Sequence, residues 1–405
     1  MPPVTQTFDP KTLMRIAIVM AFIQFTNALE YMLFNPVFAF MAADFAVPVS
    51  YSGYVSGMYT LGAVLSGVIA FYWIGRCNQK RYLFANMALL GVLTLLTVYT
   101  SSFRFLLTLR FCAGLVGGTT MGVGIGILIN LAPANLRGKM LAAVIASFSM
   151  VSIVGMPAIL FMCTHYGWHI ALSLISLLCL LALPLIHFII PQDPVSSATL
   201  HKPSLDRDTL LFASSNALVQ FSPMLVIPIL VPLMTQLLGA SQDQLPWFFF
   251  CGGVTGYLST KITGVLTSRF SAVVLASAST FVLILSLLIP MLGYHLAALF
   301  ITVFLGASYS RLVSSSTVSI QFPQDRQRAG FSSLQTSIMY LMTSAAFFLS
   351  ALLLPDNGII TAQNIHLLLV VCAISASGFP IVVVILQKKL VKRALQSDRN
   401  KVIDT

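Results

Sequence analysis

Twelve apolar stretches, each long enough to cross a lipid bilayer, take up nearly the whole chain and leave only short connections between them. The hydrocarbon core of a bilayer is about 30 Å thick and an α-helix rises about 1.5 Å per residue, so roughly 20 apolar residues make one crossing. On that measure the crossings fall near 14–40, 51–74, 83–101, 105–130, 140–163, 168–190, 209–238, 246–267, 271–293, 295–320, 329–354 and 363–387. Backbone polar groups in hydrocarbon must pair within their own segment, so each crossing is predicted to be a helix and the chain an all-α membrane protein. Charged residues make up 8% and hydrophobic residues 58%, against roughly 25% charged in a soluble domain. No room remains for a large domain outside the membrane. The first apolar stretch is too long for a cleaved signal and is expected to stay as a helix.

The net charge of +11 is placed for a membrane and not for nucleic acid. With the N-terminus in the cytoplasm, 18 of the 22 Lys and Arg fall on the cytoplasmic side, from Lys11 and Arg15 through Arg76, Arg137 and Arg207 to the tail Lys388–Lys401, and only Arg104 falls outside. That asymmetry predicts an inner-membrane protein with both termini cytoplasmic, and the basic tail reads as an anchor near anionic lipid. The six cysteines have neither metal nor redox spacing and read as small apolar fillers.

The longest connection, 191–208, is rich in Pro, Asp and Ser. It divides the chain into a first six-helix bundle (1–190), a linker, a second six-helix bundle (209–387) and the basic tail (388–405). A shift of 192 residues lays Pro36 on Pro228, Gly114 on Gly306 and Gly138 on Gly330. Two parallel six-helix repeats are a common build for secondary transporters, with the substrate between them at the midplane. Gly53 and Gly57, and Gly118, Gly122 and Gly126, recur every four residues and predict faces where helix backbones approach closely. Pro157 and the trio Pro223, Pro228 and Pro232 predict bends, with a hinge or gating role.

Several segments carry a resemblance to a known family. "NALEYMLFNPVFAFMAADFAV" (27–47), "LRFCAGLVGG" (109–118), "VGMPAILFM" (154–162) with "GWH" (167–169), and the paired loops "PANLRGK" (133–139) and "PQDRQRAGFSSL" (323–334) are similar to motifs of the major facilitator superfamily. Within it the chain resembles the drug and metabolite proton antiporters, including the sugar and purine-nucleoside efflux group. The resemblance implies two pseudo-symmetric six-helix bundles, places Arg110 on the family's fourth-helix arginine, and gives Arg76 and Arg137 gating roles in the loops. The loop signature along 67–84 departs from the family pattern: its acid position holds Gly75, and Asn78 and Gln79 stand for the later Gly and Arg. The antiporter motif has Ile159 in place of its last glycine.

A charge at the centre of a crossing costs about 2.5–3.5 kcal/mol on insertion scales, so each one needs a partner or a wet cavity. Glu30 is the only acid in a predicted crossing, and the bases are Arg110, Lys261 and Arg311. Glu30 and Arg110 lie roughly 8 Å apart in depth, within an arginine's reach, and are expected to pair. Burial and a neighbouring guanidinium act on a carboxyl in opposite senses, so a substrate that disturbs the pair changes its proton affinity and couples transport to protons. The alternative is a permanent bridge that locks two helices.

Gln24, Asn27, Glu30, Tyr31 and Asn35 share an arc of roughly 140° on the first helix, and Asn216 and Gln220 repeat the theme in the seventh. These amides and Tyr31 are expected to line a substrate cavity, or else to bond helix to helix. Arg311 has no acid in any crossing of its own half and is expected either to hold a substrate carboxylate or phosphate or to bond hydroxyls and backbone. Lys261 is expected to snorkel to the interface. With Glu30 spent on Arg110 the leftover charge is positive, which favours an anionic or zwitterionic organic substrate.

No nucleophile with an adjacent base, metal-ligand cluster or nucleotide-binding loop is visible, so an enzyme, a resident cofactor, a metal and ATP drive are not expected. The predicted protein is a monomeric carrier of a small organic molecule, proton-coupled and exporting. An uptake permease for a carboxylate-bearing metabolite or siderophore, and a non-transporting sensor of the same fold, are the alternatives.

Overall fold

Local chemistry sets where each helix begins. Pro10 stands at the first position of α1 (Pro10–Met41), where a missing N–H costs nothing. α2 (Ser52–Trp73) follows a single 3₁₀ turn, Val49–Tyr51. Asn78 caps α3 (Gln79–Tyr99) by accepting from the Arg81 N–H at 3.0 Å. α4 comes as Phe103–Gly117 and Thr120–Leu131. α5 runs through Ala134–Met150, a π-helical turn Val151–Gly155, and Met156–Tyr166. Gly167, at φ 87°, turns the chain directly into α6 (Trp168–Ile189).

In the second half Asp206 caps α7, which runs Arg207–Val226 and then changes winding through Ile227–Ile229, Leu230–Pro232 and a π-helical Leu233–Leu237. A capping box of Ser241 and Gln244 precedes α8 (Leu245–Leu266). Ser271 caps α9 (Ala272–Met291), and α10 (Ala297–Ser319), α11 (Arg328–Leu353) and α12 (Ala362–Ile403) complete the chain. The computed structural model describes residues 9–73, 77–131, 134–191, 206–319, 321–323, 328–354 and 359–403.

Eleven of these helical stretches among the described residues are long and apolar enough to cross a membrane. The exception is α8, whose 22 residues include Gly252, Gly253, Thr255, Gly256, Ser259, Thr260 and Lys261. Its length still gives about 33 Å; Thr255 and Thr260 donate to carbonyls of their own helix, and Thr263 donates to Ser310 of α10 at 2.9 Å. α12 passes the expected end of its crossing and stays helical to Ile403. The extension is tied back to the second bundle, because Lys389 bridges to Asp208 of α7 and Arg393 donates to the Phe322 carbonyl at 3.2 Å.

Helices α1–α6 pack on one another, as do α7–α12, and the two groups meet through α2 with α11, α5 with α8, and α1 with α7. Gly53 and Gly57 form the closest part of that meeting. A Cβ at Gly53 would run into the Phe347 carbonyl of α11, and Ser344 donates to the Gly57 carbonyl at 3.0 Å. Within the first group, a Cβ at Gly114 would fall on the Tyr59 carbonyl and one at Gly62 on the Phe111 carbonyl, so α2 and α4 touch backbone to backbone. The predicted stripe on α4 holds only at its first member. Gly118 lies against Ala63, but a Cβ at Gly122 would meet nothing within 4 Å and one at Gly126 only the Gln79 side chain.

Both predicted bends carry a change of winding. Pro157 lacks an N–H, and a π-turn falls immediately before its helix. In α7 the turn types change around Pro228 and Pro232.

Candidate functional site

Glu30 projects from α1 and Arg110 from α4, and they form an ion pair with 0% and 1% of their side-chain surface exposed. Nη1 of Arg110 donates to Oε1 of Glu30. The ions are bonded to each other through Nη1 and Oε1 alone: Oε2 of Glu30 and Nε and Nη2 of Arg110 are buried with no hydrogen-bond partner, and the Thr94 hydroxyl, which donates to the Leu90 carbonyl at 2.8 Å, is a further polar group beside Glu30. Guanidinium–carboxylate pairs are frequently joined by a two-bond fork, and this one leaves bonding capacity unused in a place where unused capacity is costly.

Aromatic rings hold the arginine in position. Its Cζ lies 3.7 Å from the centre of the Phe34 ring and 4.6 Å from that of Tyr59, contacts that stabilise a cation out of water. Tyr59 in turn stacks on Tyr31, with centroids 5.1 Å apart, and Tyr31 meets the edge of Tyr340 of α11 at 6.1 Å. The ion pair therefore connects through rings to the other bundle.

The remaining predicted residues are distributed as follows. Gln24, Asn27 and Asn35 are buried at 4%, 6% and 4%, so of the expected wet face of α1 only Tyr31 retains partial exposure. Asn27 Oδ1 is buried without a partner. On α7 the half-buried Asn216 donates to Ser316 of α10 at 3.3 Å, and Gln220, one turn on, is also half-buried. Pro157 lies in α5 beside the contact with α8, where a Cβ at Gly253 would fall on the Ser152 carbonyl and Ser152 Oγ lies 3.2 Å from the Tyr309 hydroxyl. Arg137 is in the first turns of α5; its side chain, and Arg76 altogether, lie outside the described residues. Lys261 is exposed, with Nζ 5.7 Å from the centre of the Tyr257 ring.

Arg311 is fully buried inside the second bundle. It donates to Ser222 Oγ of α7 at 2.7 Å and to the Ala376 carbonyl of α12 at 3.3 Å, with Cζ 5.2 Å from the Phe379 ring centre. Ser222 is the residue that the 192-residue shift lays on Glu30. Each bundle thus has an arginine from its fourth helix bonded to the same place on its first, with an acid there in one bundle and a hydroxyl in the other. A cavity of about 220 Å³ lies between the ends of α1 and α7 remote from the termini, lined by Ala39, Phe40, Val231, Pro232, Thr235 and Gln236 among others.

Phe34, Tyr59, Tyr340, Ser152 and Tyr309 were not legible as site residues. In a chain with 29 Phe and 12 Tyr an aromatic side chain carries no signal by itself, and these five are selected only by which helices meet.

Two groups of apolar helices packed on each other, with a buried ion pair beside their contact, are the architecture of a multi-pass membrane transporter. The chain belongs to the Major Facilitator Superfamily, whose pattern matches residues 20–346. It is similar to the chloramphenicol resistance protein of Streptomyces lividans, 23% identical over 291 residues that cover 69% of this chain and 73% of the relative. It is also similar to a probable sugar efflux transporter of Mannheimia succiniciproducens, 25% identical over 184 residues covering 45% and 46%. In fold it resembles a bacterial homologue of the lysosomal transporter Spinster, in an inward-facing and occupied conformation, with a TM-score of 0.78 at 14% identity over 95% of this chain and 99% of that one.

Proposed function

We propose that the protein exports a small organic molecule across the inner membrane in exchange for protons, by alternating access between the bundles 1–190 and 209–387, with both termini in the cytoplasm. The observation that carries the reading is the singly bonded Glu30–Arg110 pair. A proton arriving on the free Oε2 neutralises the carboxylate and weakens its hold on Arg110; loss of the proton restores the pair. The bound and free states of a proton thus correspond to two arrangements of α1 and α4, which is what coupling requires. The names of the two sequence relatives support export, and the basic residues on the terminal side support the orientation.

Gln24, Asn27 and Tyr31 of α1 and Asn216 and Gln220 of α7 are assigned to the polar lining of the substrate path, with Pro157 as the bend and Arg76 and Arg137 as gating residues. Arg311 joins the lining only by exchanging Ser222 and the Ala376 carbonyl for a ligand anion.

The test uses proteoliposomes with an imposed pH gradient and a panel of organic solutes. The wild-type chain accumulates its substrate against a gradient. Glu30→Gln keeps exchange of labelled for unlabelled substrate but loses accumulation driven by the pH gradient. Accumulation by Glu30→Gln at the wild-type level overturns proton coupling through this residue, and movement of substrate together with protons overturns export.

A further inference from the structure

Three tyrosines drawn from three helices carry an inference that rests on the carrier reading and names the kind of molecule carried. Tyr31 of α1 and Tyr59 of α2 are stacked, 5.1 Å apart with 27° between planes, while Tyr340 of α11 stands edge-on to Tyr31 at 87°. Tyr59 is 1% exposed and already engaged by Arg110. Tyr31 and Tyr340 are only half-buried, so the uncovered aromatic surface belongs to the two rings that belong to different bundles. An edge-on contact covers less ring surface than a stacked one, so a flat guest between Tyr31 and Tyr340 would replace it with fuller contact.

Both kinds of hydrogen-bonding capacity are left over beside the rings: Arg110 Nε and Nη2 are unpartnered donors on the guanidinium that packs on Phe34 and Tyr59, and the unpartnered acceptors stand on α1. Asn27 Oδ1 and Glu30 Oε2 are acceptors, both buried and both without a donor. Asn27 Oδ1 and the Tyr59 hydroxyl both lie close to Gly117, the residue whose missing side chain leaves room there. The nearby cation offers little to an anion, because Arg110 faces Phe34 and Tyr59 and is 1% exposed, and Arg311 is enclosed in its own bundle.

We infer that Tyr31, Tyr59 and Tyr340 form a specificity site for an uncharged planar aromatic ring bearing a hydrogen-bond donor, entering between Tyr31 and Tyr340 with its donor directed to Asn27 Oδ1. The guest exchanges one edge contact between the bundles for stacking on both of them. It thereby links occupancy to the approach of α11 and, through Tyr59, to the Glu30–Arg110 pair.

The experiment compares benzamide with cyclohexanecarboxamide, which carries the same amide on a saturated ring, binding to the purified full-length protein in detergent as followed by melting temperature. Benzamide binds roughly tenfold more tightly, the difference expected from two aromatic contacts. Tyr340→Phe keeps that preference, Tyr340→Leu abolishes it, and Asn27→Leu weakens benzamide while leaving its rank over the saturated ring. Equal binding of the two amides, binding of neither, or a preference that survives Tyr340→Leu overturns the inference. Selective benzamide binding by a protein that moves no solute in liposomes leaves this site standing and overturns the carrier reading. Proton-coupled flux of saturated solutes with no preference for aromatic ones does the reverse.

Discussion

Arg110 is held by groups from three helices: the carboxylate of Glu30 and the ring of Phe34 on α1, the ring of Tyr59 on α2, and its own backbone on α4. Removing one partner of a buried ion pair costs about 3–5 kcal/mol, because the other charge is left alone in a medium that solvates it poorly. Arg110→Leu is therefore expected to lower the melting temperature in detergent sharply, and Glu30→Gln combined with Arg110→Leu to recover a large part of the loss. A double variant as unstable as Arg110→Leu alone would show that ring packing, and not charge, dominates. That Glu30 and Arg110 meet was legible in the sequence, since a lone acid and a base at reachable depths had few other partners. The environment of Arg311 was open between two readings, and burial against Ser222 and the Ala376 carbonyl is a fact of the fold.

The helices differ in how they approach each other, and glycine decides where backbones touch. Gly114 and Gly62 bring α4 and α2 together at the level of Tyr59, which is what sets that ring against Arg110. Gly114→Val is expected to cost about 1–3 kcal/mol by overpacking, seen as a lower melting temperature together with weaker transport, since displacing α2 also displaces Tyr59. Gly122→Ala is the control: no atom stands within 4 Å of its Cβ, and the change is expected to be neutral or to stabilise by up to about 1 kcal/mol. Four-residue spacing marked Gly118 and Gly122 equally in the sequence. Contact with α2 makes them different, since Gly118 lies against Ala63 while a Cβ at Gly122 meets nothing, and which face of a helix finds a neighbour leaves no trace in the spacing. The prolines were informative in part: winding changes next to Pro157, Pro228 and Pro232, but Pro223, predicted to bend α7 with them, lies inside the regular stretch Arg207–Val226.

At the scale of the whole molecule the bundles close on each other at the ends of α2 and α11 remote from the termini, where Tyr54 and Phe348 pack with centroids 6.1 Å apart. Alternating access requires that contact to open. Tyr54→Cys with Phe348→Cys, in a chain whose six native cysteines are replaced by serine, is expected to form a disulfide that arrests transport and releases it on reduction; undiminished transport in the oxidised form would place the moving gate elsewhere. Membrane residence, the number of helices and the rarity of buried charge followed from composition and segment length alone, because hydrocarbon admits few solutions to an unpaired backbone or an unpaired ion. Which arginine meets an acid and which a hydroxyl, which glycines touch, and which tyrosines out of twelve converge were decided by tertiary structure. Those contacts join residues tens to hundreds of positions apart, and in a uniformly apolar chain helix packing alone distinguishes one aromatic or small residue from another.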